Sequence, residues 1–526
     1  MAHLTARAAR RQADAPALID ERGQCSWAEL DARVNRLIRV LRAAGLQPGE
    51  RIALFAGNRR EVFELMAAAV HCGLFYVPVN WHFSVAELAH VLQDSGAVGL
   101  LTDSQFAATA AAALQQVPAA GARLRACIAL EPGTSAQDCA GFSDFEALLA
   151  TEHDASEPAD QQAGGPMFYT SGTTGRPKGV LKNNGALQPI AALEAAADNL
   201  VASLQLPPQG ITLLCGPYYH SAQYAWSFQP LLAGLSLVMC QRFDAAHTLQ
   251  LIDQHGITQV HLVPTQFIRL LRLDEATKAA FNGRSLRRVW HGAAPCSPQI
   301  KREMIDWWGP CIHEYYGSTE GGVISGIGAE EWLARPASVG RATFQTEVQI
   351  LRDDGSPSAA GEPGTIYLRN RGGAALSYHN DAAKTAAAHH GDGLFTTGDV
   401  GWLDDQGYLY LTDRKIDMII SGGVNIYPAE IEQLLAAHPR VQDVAVIGVP
   451  NAEFGEEVKA IVQPVPGQAP DEALREALVA LCRSELAGYK LPRSIEFRSE
   501  MPRTETGKLQ KRLLREPYWQ GLERRI

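Results

Sequence analysis

Alternation of short apolar runs with amphipathic helical patterns constrains the fold of this chain more than any other feature. Arg51–Phe55 and Tyr76–Val79 have the pattern of strands, and a helical pattern at Val62–Cys72 lies between them. Earlier in the chain, Ser26–Glu29 has the form of a helix capping box, and leucines and valines follow it at helical spacing until Gly45. Such alternation predicts a layered α/β body.

The C-terminal part of the chain has a different pattern. Pro428 begins a predicted helix, strand-like runs follow at Val441–Val449 and Val458–Val465, and a second helical pattern comes after them. We therefore predict a large, layered α/β N-terminal domain of alternating helices and strands over residues 1–414. A small, mobile α+β C-terminal domain is predicted over residues 415–526.

Composition agrees with a multidomain soluble enzyme. A chain of 526 residues is too long to fold around one compact core, and its 46% apolar and 20% charged residues are ordinary for a globular protein. A net charge of −10 argues against nucleic acid or an anionic membrane as the main partner. Nine cysteines without a Cys-x-x-Cys pair suit reduced thiols. With no long apolar run and no signal-peptide pattern, we expect a cytoplasmic protein without a transmembrane segment.

A loop rich in glycine and hydroxyl groups lies between Tyr169 and Gly179 and contains Lys178. Glycines let backbone N–H groups turn inward, hydroxyls donate further hydrogen bonds, and the lysine adds positive charge, so the loop can wrap an anion. An apolar strand is predicted before it and a helix at Ile190–Leu200 after it, which would give a strand, glycine loop and helix. The lysine follows a proline, so this is not the Walker-type phosphate loop. A flexible connector is the alternative interpretation.

Four further segments have residues suited to a nucleotide. His291–Pro295 has small residues that let a flat ring lie against the backbone, and Tyr315–Glu320 has aromatic, hydroxyl and carboxylate groups. Phe395–Asp399 ends in a carboxylate that could accept hydrogen bonds from two adjacent hydroxyls, as in a ribose. Pro502–Lys508 places a lysine after a glycine in a polar stretch.

With these motifs in this order, the chain resembles the adenylate-forming superfamily, which includes acyl-CoA synthetases, aryl-acid CoA ligases, beetle luciferases and peptide-synthetase adenylation domains. The resemblance implies ATP, Mg²⁺ and CoA as cofactors or co-substrates. The implied phosphate-binding residues are Thr170, Ser171, Gly172, Thr173, Thr174, Gly175 and Lys178. Those implied for the rest of the nucleotide are Gly292, Ala293 and Ala294 along the adenine, Tyr316 stacked on it with Gly317 beside it, Thr319 at the α-phosphate, and Asp399 and Arg414 at the ribose.

The resemblance also implies the groups that carry the chemistry. Glu320 would hold Mg²⁺, Lys508 would be the lysine of the adenylation step, and Thr170 and His220 complete the implied catalytic set. A carboxylate is already ionised at neutral pH and needs no general base, so the difficulty is the repulsion between the acid and the α-phosphate. The cations and the loop hydroxyls would offset that repulsion.

Thioester formation in the family follows rotation of the C-terminal domain at a hinge beside Arg414. Gly422 and Gly423 would then leave room for the pantetheine arm of CoA, although a plain tight turn is the alternative interpretation of that run. The sequence departs from the family pattern at Ile416, where a polar hinge residue is usual. Either a neighbouring polar residue takes that part or the hinge needs none, since hinges need only tolerate a change of backbone conformation.

The acid is less defined than the nucleotide. His220 matches the residue near the substrate carboxylate in acyl-CoA ligases, and Ser221 replaces the aspartate with which amino-acid-activating relatives bind an ammonium group. The other residues predicted to line the acid are Ala222, Ala225, Val263 and Gly322. These small and apolar residues favour a hydrophobic acid: a medium- or long-chain fatty acid, or a bulky alicyclic or steroid side-chain acid. A cinnamate- or benzoate-type aryl acid is the alternative.

Three other functions stay open at this point. The enzyme could load a carrier protein instead of free CoA, act as a luciferase-like oxygenase, or be an inactive sensor that only binds an adenylate. The expected partners are a small carboxylic acid, ATP and CoA, and no nucleic acid. Whether the chain forms a homodimer is left open.

Overall fold

The computed structural model describes residues 4–130, 141–171, 177–182, 185–204, 206–207, 209–371, 376–391, 393–414, 417–421, 424–451, 453–468, 470–504 and 509–520. The chain divides into two compact units. The first unit consists of Met1–Leu262, Leu273–Trp290 and Ala374–Ala387, and the second consists of Val263–Arg272, His291–Gly373 and Ala388–Ile526.

Helices occur throughout both units. In chain order they are α1 (Leu4–Gln12), α2 (Trp27–Ala43), α3 (Arg60–His71), α4 (Val85–Ser95), α5 (Ala107–Gln116), α6 (Pro118–Gly121), α7 (Phe145–Ala150), α8 (Ile190–Leu204), α9 (Ser221–Ala225), α10 (Phe228–Leu232), α11 (Ala245–His255), α12 (Pro264–Leu271), α13 (Glu275–Ala280), α14 (Pro298–Trp308), α15 (Ala329–Ala334), α16 (Ala382–Ala388), α17 (Pro428–Ala436), α18 (Glu472–Glu485) and α19 (Lys511–Arg515). Short 3₁₀ helices lie at Gly488–Lys490 and Glu516–Tyr518.

The strands in chain order are β1 (Pro16–Asp20), β2 (Gly23–Ser26), β3 (Arg51–Phe55), β4 (Phe75–Pro78), β5 (Gly99–Asp103), β6 (Ala126–Leu130), β7 (Ser143–Asp144), β8 (Gln162–Ala163), β9 (Gly165–Pro166), β10 (Phe168–Ser171), β11 (Pro177–Lys182), β12 (Gln188–Pro189), β13 (Ile211–Leu214), β14 (Ser236–Met239), β15 (Gln259–Leu262), β16 (Arg288–His291), β17 (Ile312–Ser318), β18 (Gly322–Gly328), β19 (Ser338–Ala342), β20 (Thr346–Leu351), β21 (Gly364–Asn370), β22 (Leu376–Tyr378), β23 (His389–His390), β24 (Leu394–Leu403), β25 (Tyr408–Arg414), β26 (Ile419–Ser421), β27 (Val424–Ile426), β28 (Val441–Asn451), β29 (Gly455–Pro464) and β30 (Ser494–Phe497).

The predicted layered α/β body is confirmed in the first unit. A six-stranded sheet has the order β7-β6-β5-β3-β4-β9, and its neighbouring strands run parallel. Parallel sheets are covered on both faces, which explains why the central residues of β3 to β5 are apolar and buried. The predicted capping box also forms: Ser26 Oγ accepts from the Glu29 amide at 3.2 Å, and Glu29 Oε2 accepts from the Ser26 amide at 2.7 Å.

A second set of parallel strands in the first unit determines where several predicted acid-binding residues leave the strands. Strands β1, β14, β13 and β15 are consecutive and parallel, and β2 pairs antiparallel at the edge. The chain after β13 leads to His220, and the chain after β15 leads to Val263. Because β13 and β15 are parallel, both segments leave the sheet at its carboxyl edge, where α/β proteins bind ligands.

The prediction that the phosphate loop joins a strand to a helix is wrong. The loop joins β10 to β11, which are antiparallel, and β11 pairs in turn with β22. Val180 and Leu181 of β11 are buried, and this burial stabilises a second strand before the helix begins at Ile190. Lys178 therefore lies on a strand of a hairpin.

The second unit contains an antiparallel sheet of order β17-β18-β19-β25-β24-β21-β20, with β23 paired to β24. It also contains the predicted C-terminal α+β elements. Strands β27-β26-β29-β28 form one sheet with β30 parallel to β29, and α17 and α18 cover an apolar core around Ile431, Leu474 and Val446. The domain boundary after residue 414 stays a prediction. Among the described residues, no helix is long and apolar enough to span a membrane.

Candidate active site

The two ends of the predicted phosphate loop lie opposite each other in the hairpin. Thr170 and Ser171 are on β10, Lys178 is on β11, and the register pairs Thr170 with Lys178. The tip of the loop, Gly172–Gly175, is outside the described residues. The register therefore places Lys178 opposite Thr170 at the end of the hairpin that leads into the loop.

Lys178 has a carboxylate partner that sequence reasoning missed. Its Nζ lies 2.6 Å from Oδ2 of Asp381, and the two side chains are 20% and 27% exposed. Asp381 is 203 residues further along the chain, next to the end of β22. No sequence spacing links the two residues, because only the pairing of β11 with β22 brings them together.

The predicted adenine segment packs against the predicted aromatic segment. Gly292 is buried, and a Cβ at this position would lie 2.6 Å from Cε1 of Tyr315, so only glycine allows this approach. Ala293 has a positive φ of 64°, which is costly for a residue with a Cβ and is typical of functional sites. The exposed Ala293 and half-buried Ala294 therefore leave the strand on a strained turn.

Tyr316 connects the aromatic segment to the predicted ribose segment. Its hydroxyl donates to Oδ2 of Asp399 at 2.6 Å, and Thr397 Oγ1 donates to the same oxygen at 2.8 Å. Both Tyr316 and Asp399 are buried. In the sheet, Asp399 on β24 pairs with Arg414 on β25. Three predicted nucleotide segments thus meet within the second unit.

The predicted metal ligand lies at the tip of a hairpin. Strands β17 and β18 pair up to Ser318 and Gly322, so Thr319 and Glu320 form the turn and are half-buried. A Cβ on Gly317 would collide with the carbonyl oxygen of Gly322, which explains the glycine at that position. The turn of this hairpin thus has a hydroxyl residue and a carboxylate residue at adjacent positions of the chain.

No group of three or more His, Cys, Asp or Glu side chains suitable for a resident metal occurs in the described part of the chain. A single carboxylate nevertheless fits Mg²⁺, because proteins usually hold this ion through one or two carboxylates together with waters and substrate phosphates. The donor set at the β17–β18 hairpin therefore suits a metal that arrives with a nucleotide.

A buried charged cluster lies directly behind the nucleotide segments, and sequence reasoning missed it. It consists of His291, Lys301 and Glu314: Lys301 Nζ lies 2.6 Å from Glu314 Oε2, and His291 Nε2 lies 3.8 Å from the same oxygen. Lys301 Nζ also lies 4.6 Å from the ring centroid of Trp332. Burial lowers the pKa of Lys301 and raises the pKa of Glu314, whereas each partner opposes the shift of the other.

A signal for this cluster is present in the sequence. On α14, Lys301 shares a buried face with Met304 and Ile305, at the i, i+3 and i+4 spacing of core positions. A lysine at a core position of an amphipathic helix requires a buried anionic partner, and Glu314 lies in the next strand.

Four predicted acid-binding residues lie together at α9. His220 is the residue that caps the helix, Ser221 begins it and Ala225 ends it, and all three, like Ala222, are half-buried. Val263 is buried just beyond β15, and Gly322 begins β18. Their contacts with an acid stay predictions.

A second buried group, which we call the aromatic cluster, consists of Trp226, His261 and Trp290. The Trp226 and Trp290 rings stack with centroids 4.7 Å apart at 20°, and Trp226 and His261 stack at 6.3 Å and 10°. Burial lowers the pKa of His261 to about 3, with a smaller contribution from His220. His261 is therefore neutral at physiological pH, and its Nδ1 accepts from Nε2 of Gln223 at 3.0 Å.

Other predicted residues lie outside the described part of the chain. They are Lys508, Gly422, Gly423 and the hinge residue Ile416. Their predicted roles in adenylation, CoA binding and domain rotation stay predictions.

Comparison with known proteins agrees with this arrangement. The model of the family described as AMP-binding enzyme matches residues 5–379, and that of the AMP-binding enzyme C-terminal domain matches residues 430–508. The chain is 34% identical to feruloyl-CoA synthase from an Amycolatopsis species over 92% of each protein. It is 32% identical to the long-chain-fatty-acid–CoA ligase FadD13 from Mycobacterium tuberculosis, over 94% of this chain and 93% of the relative.

A solved structure shows the same fold over nearly the full length. ATP-bound MatB from Rhodopseudomonas palustris superimposes with a TM-score of 0.83 at 30% identity, covering 98% of each chain. With family matches over most of its residues and relatives of this similarity, the chain belongs to the AMP-binding enzymes, the adenylate-forming superfamily that its motifs resemble.

Proposed function

We propose that this enzyme is an acyl-CoA synthetase that joins a hydrophobic carboxylic acid to CoA through an acyl-AMP intermediate. One observation carries the proposal: the second unit links Gly292 to Tyr315, Tyr316 to Asp399, and Asp399 to Arg414. These contacts connect the segments predicted to bind the adenine and the ribose, and this connection supports the proposal. Enzymes of this kind use ATP and CoA as substrates.

In the first half-reaction, a carboxylate oxygen of the acid attacks the α-phosphorus of ATP. A new bond forms between that oxygen and phosphorus, the bond to the bridging oxygen breaks, and pyrophosphate leaves. Lys178 and the hydroxyls of the loop would bind the departing phosphates, and Lys508 would stabilise the charge that develops at the α-phosphate. Glu320 would hold Mg²⁺, which offsets phosphate charge when it is bound.

In the second half-reaction, the thiolate of CoA attacks the acyl carbon of the adenylate. A carbon–sulfur bond forms, AMP leaves with both electrons of the broken carbon–oxygen bond, and the thiol proton passes to solvent. Gly422 and Gly423 would give the pantetheine arm room to approach, after rotation of residues 415–526. Ser221 replaces the aspartate with which amino-acid-activating relatives bind an ammonium group, and this supports an acid without an α-amino group.

We place this reaction in the cytoplasm. The eight cysteines of the described residues are free thiols, and five of them are buried. Reduced cysteines of this kind suit a compartment that keeps thiols reduced.

The test is ATP-dependent AMP release over a panel of carboxylic acids, with and without CoA, with products identified by mass. We expect AMP and an acyl-CoA in equal amounts with at least one class of hydrophobic acid. Glu320→Gln should lower the rate by about 10²–10³ because one preorganised electrostatic group is lost. The matched control is Glu330→Gln, a change to an exposed carboxylate on α15, which should retain the wild-type rate.

Each other outcome points to a different function. Acyl-AMP without a thioester would indicate a carrier protein or another acceptor, and oxygen-dependent light would indicate an oxygenase. Tight binding of an acyl-adenylate without AMP release would indicate a sensor. Any of these three results would overturn the proposal.

A further inference from the structure

Asn58 is a buried residue whose side chain connects the chain segments that follow three strands of the first unit. It is 1% exposed. Its Nδ2 donates to the carbonyl oxygens of Gly216 and Cys240, each at 2.9 Å, and its Oδ1 accepts from the amide of Tyr218 at 3.0 Å. An asparagine side chain has two N–H donors and one carbonyl oxygen, so these three hydrogen bonds occupy all of its polar groups.

The connected segments lie at the carboxyl ends of parallel strands. Asn58 is three positions after the end of β3, which belongs to the six-stranded parallel sheet. Gly216 is two positions after β13, and Cys240 directly follows β14, which is parallel to β13. Since α/β proteins bind ligands at the carboxyl ends of such strands, one buried side chain joins two edges of this kind.

Tyr218 is bound to the same region at a second point. Its hydroxyl donates to the carbonyl of Leu54 on β3 at 2.8 Å, and its amide donates to Asn58. The tyrosine is fully buried. Because its amide and its hydroxyl both bind β3 or the segment that follows β3, Tyr218 is fixed against the six-stranded sheet.

His220 follows Tyr218 by two positions and belongs to the same turn. The His220 amide donates to the carbonyl of Pro217 at 3.0 Å, so Tyr218 and Tyr219 are the central residues of a β-turn. The carbonyl of His220 accepts from the amide of Tyr224 at 2.8 Å, within the first turn of α9. The conformation of a β-turn is defined by its two central residues, so the hydrogen bonds of Tyr218 determine how the chain enters α9 at His220.

Gly216 is held by α9 as well as by Asn58. A Cβ at position 216 would lie 2.4 Å from Nε2 of Gln223, so the helix packs directly on the glycine backbone. Gln223 is 3% exposed, and its Nε2 donates to Nδ1 of the neutral His261 at 3.0 Å. The loop that carries His220 is therefore fixed at its first residue and at its turn, and Asn58 takes part in both attachments.

We infer that Asn58 is a positioning residue for the adenylation step, which acts through Tyr218 and Gly216 to hold His220 in place. The inference rests on the proposed function, in which His220 lies near the substrate carboxylate. Without the carboxamide, two carbonyl oxygens and one amide lose this partner, and such groups move or admit water to regain hydrogen bonds. A displacement of about 1 Å at a substrate-positioning group is enough to lower a rate by about 100-fold.

The test measures ATP–pyrophosphate exchange without CoA, with the acid that the wild type uses best. Asn58→Ala should raise the KM for the acid by about tenfold or more because His220 is displaced, and change the KM for ATP by less than about twofold. Gln241→Ala is a milder variant, since Gln241 Nε2 donates to the backbone carbonyl of Asn58 at 3.2 Å. It should raise the KM for the acid by about threefold, as expected for the loss of one neutral hydrogen bond.

Asn35→Ala is the matched control, because Asn35 on α2 is also 1% exposed and its Nδ2 donates to the carbonyl of Ala155 at 3.0 Å. It should lower the stability to urea, as Asn58→Ala does, and retain the wild-type KM for the acid. Equal increases of that KM in both asparagine variants would overturn the inference, since general destabilisation would then explain them.

Two further outcomes are decisive. A wild-type KM for the acid in Asn58→Ala, or in Gln241→Ala where Asn58→Ala fails to fold, would overturn the inference and leave the ligase proposal intact. A wild type that exchanges pyrophosphate with no acid of the panel would instead overturn the proposed function, and the inference with it.

Discussion

The charged cluster and the aromatic cluster both contain residues that are chain neighbours of residues predicted to bind a ligand. Different interactions hold the two clusters together. In the charged cluster, Lys301 and Glu314 are buried ionisable groups at 2.6 Å. In the aromatic cluster, Trp226, Trp290 and a neutral His261 contact each other through ring faces. One cluster depends on paired charge and the other on shape.

This difference determines how well each cluster tolerates substitution of its residues. A buried charge pair specifies one geometry and fails when either member is lost, because the remaining charge stays in an apolar environment. A cluster of neutral rings can lose part of a ring and repack at moderate cost. The charged cluster therefore tolerates loss of a member less well than the aromatic cluster does.

The largest expected effect is a loss of folding stability when the charged cluster loses one member. Glu314→Ala would leave the Lys301 ammonium buried without this carboxylate, and we expect the free energy of unfolding to fall by about 3–5 kcal/mol. Replacing both residues, Lys301→Met with Glu314→Leu, should cost much less because no charge stays buried. The measurement is urea unfolding followed by tryptophan fluorescence.

The control for that prediction is the ion pair on α13, in which Lys278 Nζ lies 2.5 Å from Oε1 of the exposed Glu275. Glu275→Ala should change the stability by less than about 1 kcal/mol. Equal losses for Glu314→Ala and for the double variant would show that packing, and not charge pairing, holds the cluster together.

The next prediction distinguishes a catalytic role, predicted for Lys508, from the structural role of Glu314. Lys508→Ala should slow acyl-adenylate formation by about 10²–10³, because one preorganised charge is lost, and still convert a supplied acyl-adenylate to the thioester. Its unfolding midpoint should equal that of the wild type, in contrast to Glu314→Ala. Single-turnover assays of each half-reaction measure both rates.

Lys490→Ala is the matched lysine control, since Lys490 pairs with Glu430 at 2.7 Å in the same C-terminal segment. It should retain both half-reactions. Equal loss of the two half-reactions in Lys508→Ala would refute the assignment of this lysine to adenylation alone.

Local patterns predicted the elements of the fold well, because their causes are local. The capping box at Ser26 and Glu29 and the apolar spacing on α2 are read within one helix, and both are confirmed. The hairpin of β10 and β11 was not predicted, since β11 is stabilised by β22, almost 200 residues later in the chain. A polar, glycine-containing strand whose partner is distant has no local signal that distinguishes it from a loop.

The candidate site divides in the same way. Segments such as Tyr315–Glu320 were predicted because their residue types match a family motif, and contacts such as Tyr316 with Asp399 then join them. The residues that contact or neighbour these segments in the folded protein were not predicted. Asp381 reaches Lys178 only through the fold, and stacking of Trp226 on Trp290 depends on how two segments pack. Sequence motifs predict which residues contact a ligand. The residues that position those side chains depend on tertiary packing, which a motif does not encode.

A pH experiment sharpens the contrast between neutral and charged clusters. The pKa of His261 is about 3 in the folded state and about 6.5 when unfolded, so below pH 6.5 the unfolded chain binds one more proton at this residue. Its contribution to stability is complete above that pH and is lost as the pH falls. The advantage of the wild type over His261→Gln should shrink by about 2 kcal/mol between pH 7.5 and 5.

The measurement is urea unfolding of both proteins at each pH, and only the difference between them is used. Other groups titrate too; burial raises the pKa of Glu64 to about 7, which opposes the trend, but the contribution is common to both proteins. Trp226→Phe retains His261 and should keep the wild-type pH dependence. A difference that stays constant with pH would mean that His261 accepts a proton in the folded state.

The smallest expected effect is at the phosphate loop, where a charge pair is half-exposed. Lys178 and Asp381 lie 2.6 Å apart, with side chains 20% and 27% exposed, so water screens their attraction and the pair contributes at most about 1 kcal/mol. Asp381→Asn should therefore change the KM for ATP by less than about fivefold and leave the unfolding midpoint near that of the wild type. Lys178→Met removes the group that would bind phosphate and should raise that KM further. Asp381→Asn could instead lose as much stability as Glu314→Ala. That result would show that solvent exposure does not determine how much each ion pair contributes to stability.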